Sequence, residues 1–372
     1  MDRSTPVYPA KPTVVEVAVA ANVAVGTVSR VLNTPDVVGP EIRQRVLDAI
    51  ARVHYTPLRR RRRFHLAGAT LPPGRRGNLG LLLVGMDESL SNLPVISEAL
   101  HGVELAMAAK GLNLMLANVP NADRVPAFLA KNQVDGLIVK CPLLGDLRAC
   151  ARPALVAAIN RLPHIWLLGR PESAGGDVCG FDFDSGAQTA VEYLRARGHR
   201  HIAFVEPRPG QTRSEGLKRA LAVHAQRLGL HVRHIEKLLS FPVKWPVPAV
   251  TDPAEIVPLV ARWESLPDGQ RPTALVVSAD SIAVQLYAAL RLRGHRVGRD
   301  VSVLSFNHEK TLVMNLDPTL TTLDVCAEAI GRRAVEQLLW RVDNPGEHFP
   351  TRILLEPRLV EGSSVAALRT AA

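Results

Sequence analysis

The chain has 372 residues, 47% apolar and 22% charged, which excludes a disordered chain and leaves length for two or three packed domains. Its net charge of +10 is uneven: up to Gly77 there are 13 Lys and Arg against 5 Asp and Glu, and beyond it 32 against 30, so a basic N-terminal module precedes a nearly neutral body, as in a polyanion binder. Cys141, Cys150, Cys179 and Cys326 have no metal-ligand spacing and are too sparse for a disulfide framework, and no apolar run reaches a membrane span or forms a signal peptide; the expectation is a cytoplasmic protein with core-filling cysteines, no cofactor and no metal.

Residues 1–10 read as a disordered leader. Thr13 then precedes Glu16 by the three residues of a capping box, and Val14, Val17, Ala18 and Ala21 supply the stripe of a first helix that Asn22-Val23 ends. The next nine residues, 25–33, predict a second helix. Val25, Val28, Val31 and Leu32 are set to face a small core, while Gly26, Thr27, Ser29, Arg30 and Asn33 face outward as a short, polar, cationic surface. A third helix opens at Gly39-Pro40-Glu41 and is expected to bury Ile42, Val46, Leu47, Ile50 and Val53. Three such helices make a helix-turn-helix module.

Residues 13–57 resemble the DNA-binding domain of the lactose repressor (LacI/GalR) family of bacterial transcription regulators. The residues that carry the likeness are Glu16-Val17-Ala18, Thr27 through Asn33, Pro40-Glu41-Ile42-Arg43 and Tyr55-Thr56-Pro57. The resemblance implies that the second helix enters the major groove while the first crosses the backbone. Val25 and Gly26 match the positions that choose bases and Arg30 matches a third contact; Thr27, Ser29 and Asn33 suit phosphate oxygens, and Thr13 and Tyr55 join the same face. Gly26 has no side chain to offer, so base reading should be lean.

Arg59, Arg60, Arg61, Arg62 and Arg63 form a run that leads to Phe64 and a Gly- and Pro-containing linker to about residue 77. On its own such a run reads as a solvated tail. By the resemblance it is the hinge, with Phe64 at the position of a minor-groove wedge, though Arg60 and Arg61 stand where the family usually has small residues. A hinge helix, arginines in a narrow minor groove and phosphate clamping all fit this sequence.

From residue 79 onward, apolar runs at 79–84, 113–117, 136–139, 165–168, 202–205, 274–278 and 301–306 read as buried strands. Helical stretches at 95–110, 187–197, 214–228 and 282–293 lie among them, an α/β pattern of parallel sheets. The family likeness continues in Asp135-Gly136-Leu137-Ile138, in residues 198–204, in Pro318 through Thr322 and in residues 353–360, and implies a two-lobed core like that of periplasmic binding proteins. The expected division is a leader at 1–10, a helix-turn-helix domain at 11–57, a hinge and linker at 58–77 and a core at 78–372. Lobe 1 is placed at about 78–180 and 324–345, lobe 2 at about 181–323 and 348–363, with strands exchanged near 180, 323 and 347.

The resemblance places an effector between the lobes and marks Arg213 as the arginine that grips it. Asn92, Asp184, Trp245, Asp280 and Asn307 complete the candidate set, with Trp245 either a lid aromatic or a core residue and Asp280 serving either the ligand or its own turn. Two family partners are changed: the usual Ala-Asn-Asp is Ser278-Ala279-Asp280, and the usual Gly-aromatic-Asp is Ser305-Phe306-Asn307. Losing a carboxylate while keeping Arg213 favours an anion over a neutral sugar; loss of effector binding is the other possibility. No catalytic spacing appears: neither a nucleophile elbow, a phosphate-binding loop nor a His-Glu-x-x-His is present, and Asp182 and Asp184 read as a strand end and not as a metal or acid-base pair. His199 and His201 read as capping or packing residues. The expected function is a homodimeric, effector-responsive regulator of transcription, a repressor on a palindromic operator in double-stranded DNA, whose effector is an anion or a sugar. The alternative is an α/β enzyme with a non-specific nucleic-acid tether.

Overall fold

A computed structural model of the chain describes residues 13–33, 38–53, 55, 76–171, 173–238 and 243–368. The leader, Arg59 to Arg63 and Phe64 therefore lie outside the described residues. The chain forms two compact units, divided after Ala69.

In the first unit, α1 (Val14–Ala21), α2 (Val25–Asn33) and α3 (Pro40–Arg52) enclose a core of Val17, Ala18, Ala21, Val28, Val31, Val46 and Ala49. The capping box forms: Glu16 N–H donates to Thr13 Oγ1 and Thr13 N–H to Glu16 Oε2. Asn22 takes the left-handed conformation (φ 51°, ψ 53°) that turns the chain into α2. Arg45 of α3 reaches across to donate to the carbonyls of Ala21 (2.9 Å) and Asn22 (3.1 Å), satisfying acceptors that the end of α1 leaves open. Three expected core residues face outward instead: Val25 is 43% exposed, Ile42 39% and Leu47 46%. So small a core is filled by about two positions from each helix, and Val25, in the first turn of α2, projects beyond it.

The second unit holds two six-stranded sheets. Lobe 1 is built on β1 (Asn78–Val84), β2 (Asn113–Val119), β3 (Gly136–Lys140), β4 (His164–Leu167), β5 (Asp177–Phe181) and β11 (Arg352–Leu355), in the order β11-β5-β4-β3-β1-β2. Its helices are α4 (Glu88–Ser91), α5 (Pro94–Ala109), α6 (Ala127–Ala130), α7 (Leu147–Cys150), α8 (Pro153–Asn160) and α14 (Ala327–Asp343). Lobe 2 is built on β6 (His201–Glu206), β7 (His231–Glu236), β8 (Ala274–Val277), β9 (Ser302–Asn307), β10 (Thr321–Asp324) and β12 (Arg358–Val360), in the order β12-β10-β9-β8-β6-β7. Its helices are α9 (Phe183–Ala196), α10 (Thr212–Arg227), α11 (Val257–Glu264), α12 (Asp280–Leu292) and α13 (Lys310–Val313). All pairings are parallel except β10 with β12. Strands covered on both faces explain the continuous apolar runs.

The chain crosses between lobes after β5, after β10 and after β11. The third crossing corrects the expected boundary. Residues 352–355 pair with β5 in the sheet of lobe 1, Ile353 opposite Cys179, so 348–363 does not belong wholly to lobe 2. The reason is Asp177, 2% exposed, which accepts from Arg341 Nη2 (2.7 Å), Gln337 Nε2 (2.8 Å) and the N–H of Thr351 (2.9 Å) and so holds the returning chain to lobe 1 until β11 is laid down. Of the cysteines, Cys141 and Cys179 fill the core, whereas Cys150 and Cys326 are half-buried.

A strap formed by residues 243–250, between β7 and α11, extends from lobe 2 onto lobe 1. Val247 N–H donates to Gly85 O (2.8 Å), Asp87 N–H to Val247 O (3.1 Å), Ala249 N–H to Ser89 Oγ (2.9 Å) and Trp245 Nε1 to Leu144 O (3.0 Å). Trp245 lies against Gly85, whose φ is +71° and where an added Cβ would sit 2.2 Å from the indole. Gly85 is thus required twice, for its backbone and for its missing side chain. Gly85→Val is expected to destabilise the chain by about 2 kcal/mol or more and to shift Trp emission to the red as the indole is displaced. An unchanged urea midpoint and spectrum would refute this packing.

His199, fully buried, donates from Nε2 to Ala366 O (3.2 Å) and accepts at Nδ1 from Thr273 Oγ1 (2.7 Å). Burial holds the ring neutral and lowers its pKa to about 4. As pH falls, the unfolded chain takes up this proton near 6.5 and the folded chain only near 4, so the stability present above 6.5 is lost across that window, by roughly 3 kcal/mol. The wild type should lose more stability than His199→Asn between pH 7 and 4.5 in urea titrations; parallel losses would contradict this assignment.

Candidate functional sites in the interlobe cavity and on the second helix

Parallel strands end at the cleft between the lobes, where ligands of such sheets bind. A cavity of about 90 Å³ lies there, lined from lobe 1 by Met86, Lys140 and Phe181 among others, from lobe 2 by Arg208, Arg213 and Asn307, and by strap residues 247–250. Its charged lining residues are Lys140, Arg208 and Arg213; no carboxylate is among them. Arg208 is paired, through Nη2, with Glu255 (3.2 Å). For Arg213, at the start of α10, no ion pair or hydrogen bond to a described residue is present, and burial lowers its pKa against the opposing pull of Glu206, Glu309 and Asp280.

Lys140, the last residue of β3, is 8% exposed and donates from Nζ to the neighbouring Cys141 carbonyl (2.9 Å). Burial lowers its pKa to about 8, with Arg213 adding to that shift. This lysine was not among the residues expected from sequence. Its signal was a charged residue closing an otherwise apolar buried strand, at the strand end where ligands sit.

Beneath the cavity floor lies a buried carboxylate lock. Asp280 is fully buried and accepts from Ser305 Oγ, Thr322 Oγ1 (2.7 Å) and Glu309 N–H (2.6 Å), joining the start of α12 to β9, β10 and the loop after β9. Burial raises its pKa to about 7. Asp280 therefore serves the turn and does not line the cavity. The loop it fixes is strained: Asn307 and His308 have φ of 109° and 58°, two successive non-glycine residues in the left-handed region. Asn307 Oδ1 is buried without a partner among the described residues, while its Nδ2 donates to Glu309 Oε2 (3.2 Å). Glu309, likewise not expected from sequence, is fully buried and accepts at Oε1 from Val95 N–H on lobe 1 (3.2 Å). A carboxylate thus returns two residues beyond the position that lacks one, directed at the far lobe and not into the cavity. Thr212 N–H donates to Leu143 O (3.0 Å), a further tie across the cleft.

The structure brings two of the six expected effector residues, Arg213 and Asn307, to the cavity wall. Asn92 is the exposed C-cap of α4, and Asp184, at the start of α9, accepts from His224 Nε2 (3.0 Å). Trp245 anchors the strap instead of facing a ligand. Asp182 caps α9 by accepting from Asp184 N–H, and among the described residues no cluster of three His, Cys, Asp or Glu side chains is placed to hold a metal ion.

On the first unit, the exposed part of α2 begins at its N-terminus with Val25 and Gly26, continues through half-exposed Thr27 and ends with Arg30. No atom lies within 4 Å of a Cβ built on Gly26, so the backbone there is open to close approach. Ser29 and Asn33 lie on this helix, Thr13 is the exposed N-cap of α1, and Tyr55 packs at the edge of the small core. In helix-turn-helix modules that bind DNA, the corresponding end of the second helix meets base edges.

Residues 13–57 match the model for bacterial regulatory proteins of the lacI family, and residues 191–365 that for a periplasmic binding protein-like domain. The chain is 28% identical over 365 residues to the ribose operon repressor of Haemophilus influenzae, covering 96% of this chain and 99% of that one. It is also 28% identical over 366 residues to the transcriptional repressor PurR of Escherichia coli O1:K1, covering 95% and 97%. Among solved structures it is similar to the lac repressor dimer bound to operator and the anti-inducer ONPF (TM-score 0.63, 23% identity, 96% of this chain and 100% of that one). It is also similar to the CelR–cellobiose complex (TM-score 0.60, 22% identity, 95% and 100%). The chain thus joins a helix-turn-helix domain of the lacI family to a periplasmic binding protein-like core, the make-up of the DNA-binding transcriptional repressors to which it is similar along nearly its whole length.

Proposed function

We propose that the protein is a cytoplasmic homodimeric repressor without enzymatic activity, whose two α2 helices read the half-sites of a palindromic operator under the control of a small anion bound between the lobes. The observation that carries the choice of effector is the cavity lining, with Lys140, Arg208 and Arg213 present and no carboxylate. A neutral ligand would leave Lys140 and Arg213 with no negative charge inside the cavity, since Glu206, Glu309 and Asp280 offset Arg213 only from outside its lining, an expensive arrangement in a poorly hydrated site. The lac repressor dimer on its operator supports the dimeric arrangement, while the cellobiose of CelR shows that a neutral sugar is the alternative to test.

Calorimetry should detect binding of small carboxylates or phosphates, and Arg213→Gln should weaken it by about 2 kcal/mol or more. Tight binding of a neutral monosaccharide, untouched by that substitution, would overturn the anionic reading.

At the DNA face, Val25 offers an apolar surface to a thymine methyl, Gly26 permits close approach and Arg30 pairs with guanine or phosphate. Thr13, Thr27, Ser29, Asn33 and Tyr55 position the helix, and Arg59 to Arg63, with Phe64, supply the affinity that such lean reading lacks. On operator DNA selected from random duplexes, Arg30→Ala should cost about 1–3 kcal/mol. Replacing the five arginines by Gln should flatten the plot of log K against log salt by roughly 0.9 for each phosphate no longer neutralised. A salt dependence that is already weak in the wild type would count against the arginine run as the source of affinity.

A further inference from the structure

We propose that Lys140 and Arg213 form a paired-cation seat for a compact dianion, a dicarboxylate or a phosphate monoester, which bridges the two lobes. This deepens the anionic-effector reading and rests on it.

The two cations come from opposite sides of the cleft. Lys140 ends β3 of lobe 1 and Arg213 begins α10 of lobe 2, and both line the same cavity. Lys140 can donate three hydrogen bonds, and one, to the Cys141 carbonyl, is made to the protein. It is nonetheless 8% exposed, so its remaining N–H groups are withdrawn from bulk water. Arg213 lowers the pKa of Lys140 further, as expected of like charges facing one another across a closed space.

A single negative charge could compensate one of these cations but would leave the other with no counter-charge inside the cavity. Two negative charges compensate both. Glu206, Glu309 and Asp280 partly offset Arg213, but none of them lines the cavity, and the influences on Lys140 are burial, Cys141 and Arg213, with no carboxylate among them. The Cys141 thiol stays neutral, burial pushing its pKa up to about 12. The cavity of about 90 Å³ restricts the occupant further, since about 150 Å³ is the size of an engineered cavity that admits benzene. A four-carbon dicarboxylate or a three-carbon phosphate ester, each larger than benzene, enters only as the cleft widens, and a disaccharide would need far more room.

The geometry also gives the dianion a mechanical role. Unliganded, the cations repel across the cleft and favour its opening; a dianion held by both converts that repulsion into a tie between lobes.

The test is calorimetry on the full chain with two matched pairs of probes, succinate against butyrate and glycerol 3-phosphate against glycerol. The wild type should prefer at least one dianion over its matched partner by about 30-fold or more. The pair that shows the preference distinguishes a dicarboxylate from a phosphate ester. Lys140→Met should erase that preference while butyrate still binds through Arg213, and its unliganded thermal midpoint should equal or exceed that of the wild type, because a buried, poorly compensated charge has been removed. Butyrate binding as tightly as succinate, with no preference for the phosphate, would overturn the paired seat while leaving an anionic effector in place. Glycerol binding more tightly than every anion would overturn both readings, and no heat from any probe would overturn the compact dianion. A lower midpoint in both Lys140→Met and Lys140→Gln would assign Lys140 a structural role and overturn the proposal.

Discussion

The core depends on keeping charged groups out of water at the place where the two lobes meet. Asp280 is the clearest case. Its carboxylate is fully buried and gathers Ser305, Thr322 and the Glu309 N–H around one point, so that the ends of β9 and β10 and the start of α12 share a single anchor. Without that anchor the positive φ values at Asn307 and His308 would relax, because strained backbone persists only where its surroundings over-determine it. The strained loop in turn directs Glu309 at Val95 of the other lobe and presents Asn307 to the cavity.

Buried charge and cleft closure are therefore one problem. Strap 243–250, Glu309 and Thr212 all donate to or accept from lobe 1, and these hydrogen bonds favour the closed arrangement. Against them stand Lys140 and Arg213, which closing brings together in a space with little water. A hydrogen bond that exchanges water for protein contributes only about 1 kcal/mol net, whereas an uncompensated buried charge costs several. The balance is thus close enough for a bound counter-charge to decide it.

Much of this architecture was legible in sequence, for identifiable reasons. β1, β3, β6, β8 and β9 are buried on both faces, so their apolar runs stand out, and their observed ends fall within a residue or two of those expected. β7 was not legible: His231, Arg233 and His234 lie on an exposed edge strand, where no apolar run is needed. β11 was assigned to the wrong lobe because its pairing is decided by Asp177 and Arg341, residues far apart in sequence. At the cleft, the match to a known pattern identified Arg213 and Asn307 but also carried over Asn92 and Asp184, which occupy other surroundings here. Glu309 and strap 243–250 left no local signal, since their roles arise from bonds made across the cleft. On α2, Val25 satisfied the helical period for a core residue, yet the core was already filled by Val28 and Val31.

A ligand shifts a conformational equilibrium only by the difference in its affinity for the two states. A neutral molecule touching one lobe would gain little from closure. An anion held by Lys140 on one lobe and Arg213 on the other gains one of its two partners only when the cleft is shut, so its differential affinity is built into where the cations stand. If that difference were about 2–3 kcal/mol, the closed population would rise by roughly 30- to 150-fold relative to the open one, within the range of coupling energies that serve allosteric control. The feature that makes the unliganded cleft costly to close is then also the feature that makes closure respond to the ligand.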